Sequence, residues 1–141
     1  MGTGTGLGCT YILSGMTANS TLTTFDNDES LIEIARKNLG YESRINIELS
    51  DGEDWIKANN EIKYDLIFAD TWHGKYLMLE ETLNMLNDGG IYIVDDLLPQ
   101  KNWPEGHEEK ANQLKNHLLN RSDLSSVWLG YGTGMIISVR T

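Results

Sequence analysis

Met1-Gly2-Thr3-Gly4-Thr5-Gly6-Leu7-Gly8 is the stretch that decides the fold, because four glycines alternate there ahead of an apolar segment. Glycine lets a backbone turn or approach a ligand where a Cβ would clash. Asp26 closes the run Leu22-Thr23-Thr24-Phe25-Asp26, about twenty residues beyond Gly6. An acid at that distance, at the end of the next strand, can hold ribose hydroxyls. Loop and acid together point to a nucleoside-containing cofactor. Such a loop ordinarily follows a strand, and only Met1 precedes this one.

The spacing is Gly-x-Gly-x-Gly-x-Gly. Three residues after Gly4 stands Leu7, and three after Gly6 stands Cys9. The dinucleotide fingerprint needs a third glycine there to seat a pyrophosphate. Its absence favours a cofactor without phosphates over a nicotinamide dinucleotide. A tight strand-to-helix turn without a ligand, and Asp26 as a plain helix cap, are the structural alternatives.

Working outward, helical and strand patterns alternate. Helices are expected at 10–16, 28–39 (capped by Asp26 or Asn27 and stopped by Gly40), 52–59, 75–86 and from 104 or 105 to about 120. Strands are expected at 22–26, 45–49, 64–70 and 91–94. Two more, 125–131 and 135–140, flank the hairpin signal Gly132-Thr133-Gly134. The pattern predicts an α/β fold with a mostly parallel sheet and a C-terminal antiparallel hairpin. Ligands of such sheets lie beyond the carboxyl ends of the strands. Gly6, Asp26, Asp51, Asp70, Asp95 and Asp96 all fall at that edge.

The 141 residues suit one domain, and 40% hydrophobic residues can build its core. Eleven Lys and Arg against 21 Asp and Glu, a net charge of −10, argue against nucleic acid as a partner. No apolar run or leader pattern suggests a membrane or secretory route. The single cysteine, Cys9, forms no internal disulfide and fits the cytoplasm; it is expected to be a buried core residue.

Asp70 ends one strand and Asp95-Asp96 the next, so their carboxylates can converge across neighbouring strands about 5 Å apart. Like charges at such distance repel, and a hard cation such as Mg²⁺ relieves them through oxygen ligands. The alternative is that each acid caps a helix or faces water.

In these residues the chain resembles the class I S-adenosylmethionine-dependent methyltransferases, and among them the catechol O-methyltransferase-like group. Asp70-Thr71-Trp72-His73-Gly74-Lys75-Tyr76, then Gly89-Gly90, then Val94-Asp95-Asp96 is similar to that group's Asp-x-x-Lys-x-x-Tyr, Gly-Gly and Asp-Asn. The resemblance implies a Rossmann-like sheet with its first strand missing from this chain. The start of the gene would then lie upstream, or the protein would be damaged, or a further chain would supply the strand. It implies S-adenosylmethionine over Gly2, Thr3, Gly4 and Gly6, with Asp26 and Asn27 at the ribose. Asp51 and Gly52 would lie near the adenine, Trp72 would wall it, and Asp70 would complete the cofactor set. Asp70, Asp95 and Asp96 match the Mg²⁺ positions, with Asp96 where the group has Asn and His73 where it has Lys.

The implied reaction is O-methylation of a small-molecule hydroxyl. His73 is the first candidate base and Lys75 the second. Trp103 is expected beside the acceptor, and His107 and His117 on the surface of the last helix. A cofactor-binding fragment without turnover and a nicotinamide-dependent oxidoreductase are the alternatives. The expected partner is a small-molecule acceptor; a homodimer is open.

Overall fold

Each half of the chain builds a parallel β-α-β unit from short apolar runs, and the second half adds an antiparallel hairpin. The computed structural model describes residues 1–141. They divide into two units, Met1–Ala58 and Asn59–Thr141, taken here in turn.

In the first unit, residues 1–6 form a loop and α1 (Leu7–Gly15) follows directly. The helix therefore starts three residues before the expected position: Gly6 caps it in the left-handed region at φ 91°. A Cβ on Gly6 would lie 2.8 Å from Leu39 Cδ1, so the close approach also requires glycine. Then come β1 (Leu22–Asp26), α2 (Glu29–Leu39), β2 (Ile45–Leu49) and α3 (Gly52–Asn59). β1 and β2 pair in parallel, from Leu22 opposite Ile45 to Asp26 opposite Leu49. The cap of α2 is Asp28, not Asp26 or Asn27. Its Oδ1 accepts from the Ser30 and Leu31 N–H groups, which frees Asp26 for the glycine loop.

Cys9, Leu13 and Leu39 are buried together against Met16, Leu22, Ile45 and Ile47. Cys9 is thus a core residue, as expected. Phe25 stacks on Trp55 with ring centroids 4.5 Å apart, and Trp55 Nε1 donates to Glu48 at 2.8 Å. That contact fixes α3 on the end of β2.

The second unit runs β3 (Tyr64–Ala69), α4 (Leu79–Asn84), β4 (Leu86–Val94), α5 (His107–Leu119), β5 (Leu124–Leu129) and β6 (Met135–Arg140). The strand order is β3-β4-β6-β5. β3 and β4 are parallel, and β6 runs antiparallel to both β4 and β5. The expected terminal antiparallel hairpin is present, but the single, mostly parallel sheet is not: the strands form a parallel two-stranded sheet and a mixed four-stranded one in which only β3 and β4 are parallel. The expected helix 75–86 is not continuous: residues 72–77 form a turn and α4 begins at Leu79. Lys75, Tyr76 and Leu77 all donate N–H to the Trp72 carbonyl, and Met78 at φ 56° breaks the helical path. β4 also begins earlier, at Leu86, because Leu86 pairs with Tyr64 ahead of the Gly89-Gly90 irregularity. The last helix begins at His107, with Gly106 as its cap. Tyr92, Leu83, Leu118 and Ile136 are among the fully buried side chains of this unit.

Candidate active site

The glycine loop is tied to β1 by a set of short bonds. The Gly2 and Thr3 N–H groups donate to the Phe25 carbonyl at 3.1 and 3.2 Å. The buried hydroxyls of Thr3 and Thr24 share a hydrogen bond of 2.9 Å. Gly4 N–H donates to Asp26 Oδ2 at 2.9 Å, and the Asp28 N–H donates to Asp26 Oδ1 at 3.2 Å. Asp26 thus holds the loop and keeps unused lone pairs on both oxygens. Gly4 has φ 51°, and a Cβ there would meet nothing within 4 Å, so its outer face is open. No side chain caps the N-terminus of α1, whose first N–H groups stay free for a ligand.

Asp51 stands beyond the end of β2, where its Oδ1 accepts from Glu53 N–H at 2.8 Å and starts α3. Gly52 is buried behind it, and Asn27 is exposed beside Asp26. Gly2, Thr3, Gly4, Gly6, Asp26, Asn27, Asp51 and Gly52 therefore cluster at the carboxyl ends of β1 and β2. Of these, the sequence placed Gly6, Asp26 and Asp51 at that edge.

In the second unit Ala69 pairs with Val94. Asp70 and Asp95 thus leave neighbouring parallel strands side by side, with Asp96 next. Asp95 Oδ1 accepts from the Asp96 N–H at 2.7 Å and from the Thr133 hydroxyl at 2.6 Å. Asp96 has φ 58°, a conformation Asn and Asp tolerate better than most residues. Lys75 is only 6% exposed. Burial pushes its ammonium pKa down, while Asp96, Asp70 and Asp95 push it up. Asp70 has an exposed face, yet the protein around it raises its carboxyl pKa; Lys75 lowers it, and the other two acids raise it again.

The three carboxylates were expected to bind Mg²⁺. No three His, Cys, Asp or Glu side chains stand close enough to share one ion. One Asp95 oxygen is already engaged by two protein donors. The donor set as arranged does not fit a divalent ion.

The turn 72–77 carries the rest. Tyr92, fully buried, donates its hydroxyl to the Gly74 carbonyl and pins the turn to β4. His73 is half-buried and exchanges backbone contacts with Leu77. Trp72 packs edge-on against Tyr76 and His107 at 5.3 and 5.4 Å, and Lys110 lies 5.0 Å over its ring. A cleft of about 390 Å³ opens here, with Trp72, Lys75, Tyr76 and Lys110 in its wall; small-molecule sites usually span ~300–1,000 Å³.

His107 is a correction. Read as a surface histidine, it lies instead among Trp72, Tyr76 and Trp103, 4.4 Å from the Trp103 ring. Its Nδ1 is buried without a partner. Burial and the nearby Lys75 and Lys110 lower its pKa, while Asp96 raises it. The aromatic residues at 72, 76 and 103 were visible in sequence, but their convergence on residue 107 was not. His117 is a surface residue as expected, paired with Glu80.

A glycine loop held to an acid at the end of a parallel strand, in a chain of alternating strands and helices, is a Rossmann-like arrangement. The family model described as "methyltransferase domain" matches residues 1–97, and the chain belongs to that family. No curated protein matches it in sequence. Among solved structures, the O-methyltransferase of Bacillus cereus in complex with SAH is similar at a TM-score of 0.83 and 18% identity. The match covers 99% of this chain and 71% of that one. TomG of Streptomyces achromogenes, an O-methyltransferase of tomaymycin synthesis in complex with SAM, matches at 0.82 and 18%, covering 99% and 70%. The SAH-bound Podospora anserina methyltransferase PaMTH1 matches at 0.82 and 17%, covering 99% and 69%. At these identities the likeness establishes the Rossmann-like methyltransferase fold.

Proposed function

We propose that this methyltransferase uses S-adenosylmethionine to methylate a hydroxyl of a small molecule. The observation that carries the reading is the Gly4–Asp26 bond, which leaves an open glycine face beside a carboxylate with free lone pairs. That arrangement suits a methionine chain over the loop and a ribose diol on Asp26. The same carboxylate, Asp51 and Gly52 would receive the nucleoside; Asp70 and Trp72 are assigned to the cofactor by family likeness. The SAM and SAH complexes of the similar structures support the choice of cofactor.

S-adenosylmethionine supplies an electrophilic methyl carbon. The acceptor hydroxyl would yield its proton to His73, whose imidazole can act as a general base. With the cofactor bound, that oxygen would take the methyl group, the C–S electron pair staying with sulfur. The cleft walled by Trp72 and Tyr76 favours a flat acceptor. The nicotinamide and inactive-fragment readings have no such support beside family membership and the missing third glycine.

Titration calorimetry of the purified chain with S-adenosylhomocysteine tests this. Binding is expected, with NAD giving none. Asp26→Ala removes a charge-assisted acceptor and the loop staple, bonds worth about 1.5–3 kcal/mol each. It should weaken binding by about 30-fold or more. Unchanged affinity in Asp26→Ala, or NAD binding in its place, overturns the cofactor assignment.

A further inference from the structure

We propose that the cleft beside the turn 72–77 takes an aromatic ring carrying an anionic group, so that the methyl acceptor is a hydroxylated aromatic carboxylate held by the Lys110 ammonium. The inference deepens the reading of this chain as a small-molecule methyltransferase and rests on the cleft being the acceptor's place. The cleft, about 390 Å³, has an apolar wall of Trp72, Tyr76, Leu77 and Leu79 from one segment and Leu114 from α5. Trp72 and Leu77 remain 44% and 49% exposed. A flat ring laid against them takes that apolar surface out of water. The Trp72 indole is braced for this by edge-on contacts with Tyr76 and His107 at 5.3 and 5.4 Å, and the Trp103 ring backs His107 at 4.4 Å.

The charge of the wall is opposite to that of the chain. The protein carries 21 Asp and Glu and a net charge of −10, yet no acid lines the cleft; Lys75, Lys110 and His117 do. His117 is answered by Glu80, which Arg121 also engages. Lys75 is buried. Lys110 is exposed on α5, its ammonium 5.0 Å over the Trp72 ring, and it enters none of the ion pairs of the molecule. Its neighbours three and four positions away along the helix are Gly106, His107, Gln113 and Leu114, so the helix itself offers it no carboxylate. A ring face attracts a cation without neutralising it. Lys110 is thus an uncompensated ammonium held against the aromatic wall, and it can form a charge-assisted bond with a carboxylate on a bound ring. A neutral ring gains only the apolar contact, and a cationic one is repelled.

The test is a ligand-observed NMR titration of the whole chain, without cofactor, against phenols of different charge: 4-hydroxybenzoate, phenol and tyramine. The benzoate is expected to bind about tenfold or more tighter than phenol, with tyramine the weakest. Added NaCl should narrow the difference. Lys110→Gln should bring the benzoate to the affinity of phenol and leave phenol unchanged. Lys115→Gln removes a lysine that lies 5.1 Å over the Trp128 ring, outside the cleft, and should change nothing. Equal affinity for the probes, a preference for tyramine, or a benzoate preference that survives Lys110→Gln overturns the proposal. So does the absence of saturable binding by any probe up to about 10 mM. Should Lys110→Gln not fold, the ranking by the natural chain decides. Titration with S-adenosylhomocysteine separates the two readings. A chain that binds it but ranks the probes equally refutes the acceptor class alone, and one that prefers the benzoate but binds no S-adenosylhomocysteine refutes the cofactor assignment alone.

Discussion

Asp96 combines a left-handed backbone with a third negative charge at one strand end. Its φ of 58° suits Asn at least as well as Asp, and its charge adds to two neighbouring carboxylates. Asp96→Asn should therefore raise the melting temperature by a few degrees in a thermal scan near pH 7; a drop would mean that the third charge is stabilising there. At this scale the sequence was partly legible. The glycine loop, Asp26 and the acids at strand ends could be read, because their chemistry is tied to short spacings. His107 could not be. Its neighbours Trp72 and Tyr76 lie more than thirty positions away in sequence, and the spacing of α5 marks only Ala111, Leu114 and Leu118 as inward.

Among the elements, the joint between α2 and β2 shows how a short loop is held. Arg44 donates to both Glu42 oxygens, at 3.0 and 2.7 Å, and to the Met16 carbonyl at 3.2 Å. The hydrogen bonds from Arg44 lower the Glu42 carboxyl pKa to about 2. A group depressed on folding contributes stability above its unfolded pKa of about 4.5 and loses it as pH falls through the folded value. Acid unfolding followed by circular dichroism should thus show a stability loss between about pH 4.5 and 2, smaller in Glu42→Gln. A variant with the natural acid profile would remove Glu42 as a contributor. The strands 22–26, 45–49 and 135–140 were readable from apolar runs between turn residues. The helix expected at 75–86 failed because apolar spacing continued through residues whose backbone closes a turn on Trp72. Periodicity alone cannot see a carbonyl that accepts three N–H groups.

For the molecule as a whole, charge is the dominant long-range term. A net charge of −10 on 141 residues works against compactness. Raising NaCl from 10 to 200 mM shortens the screening length from about 30 Å to below 10 Å. The melting temperature should rise accordingly, as read by differential scanning fluorimetry; a fall would show that local pairs such as Arg121 with Glu80 and Asp123 outweigh the general repulsion. No helix is long and apolar enough to cross a membrane. The α/β class and the terminal hairpin followed from alternating periods, whereas the division into two units left no trace in composition. One consequence lies in the order of synthesis. β5 is made before β6, yet β6 lies between β4 and β5 and is the only strand that β5 pairs with. Until β6 leaves the ribosome, β5 has no partner edge, and Asp95 lacks the Thr133 hydroxyl from the hairpin turn. The acid cluster of a nascent chain therefore matures only after β6 is released, leaving β5 exposed during translation.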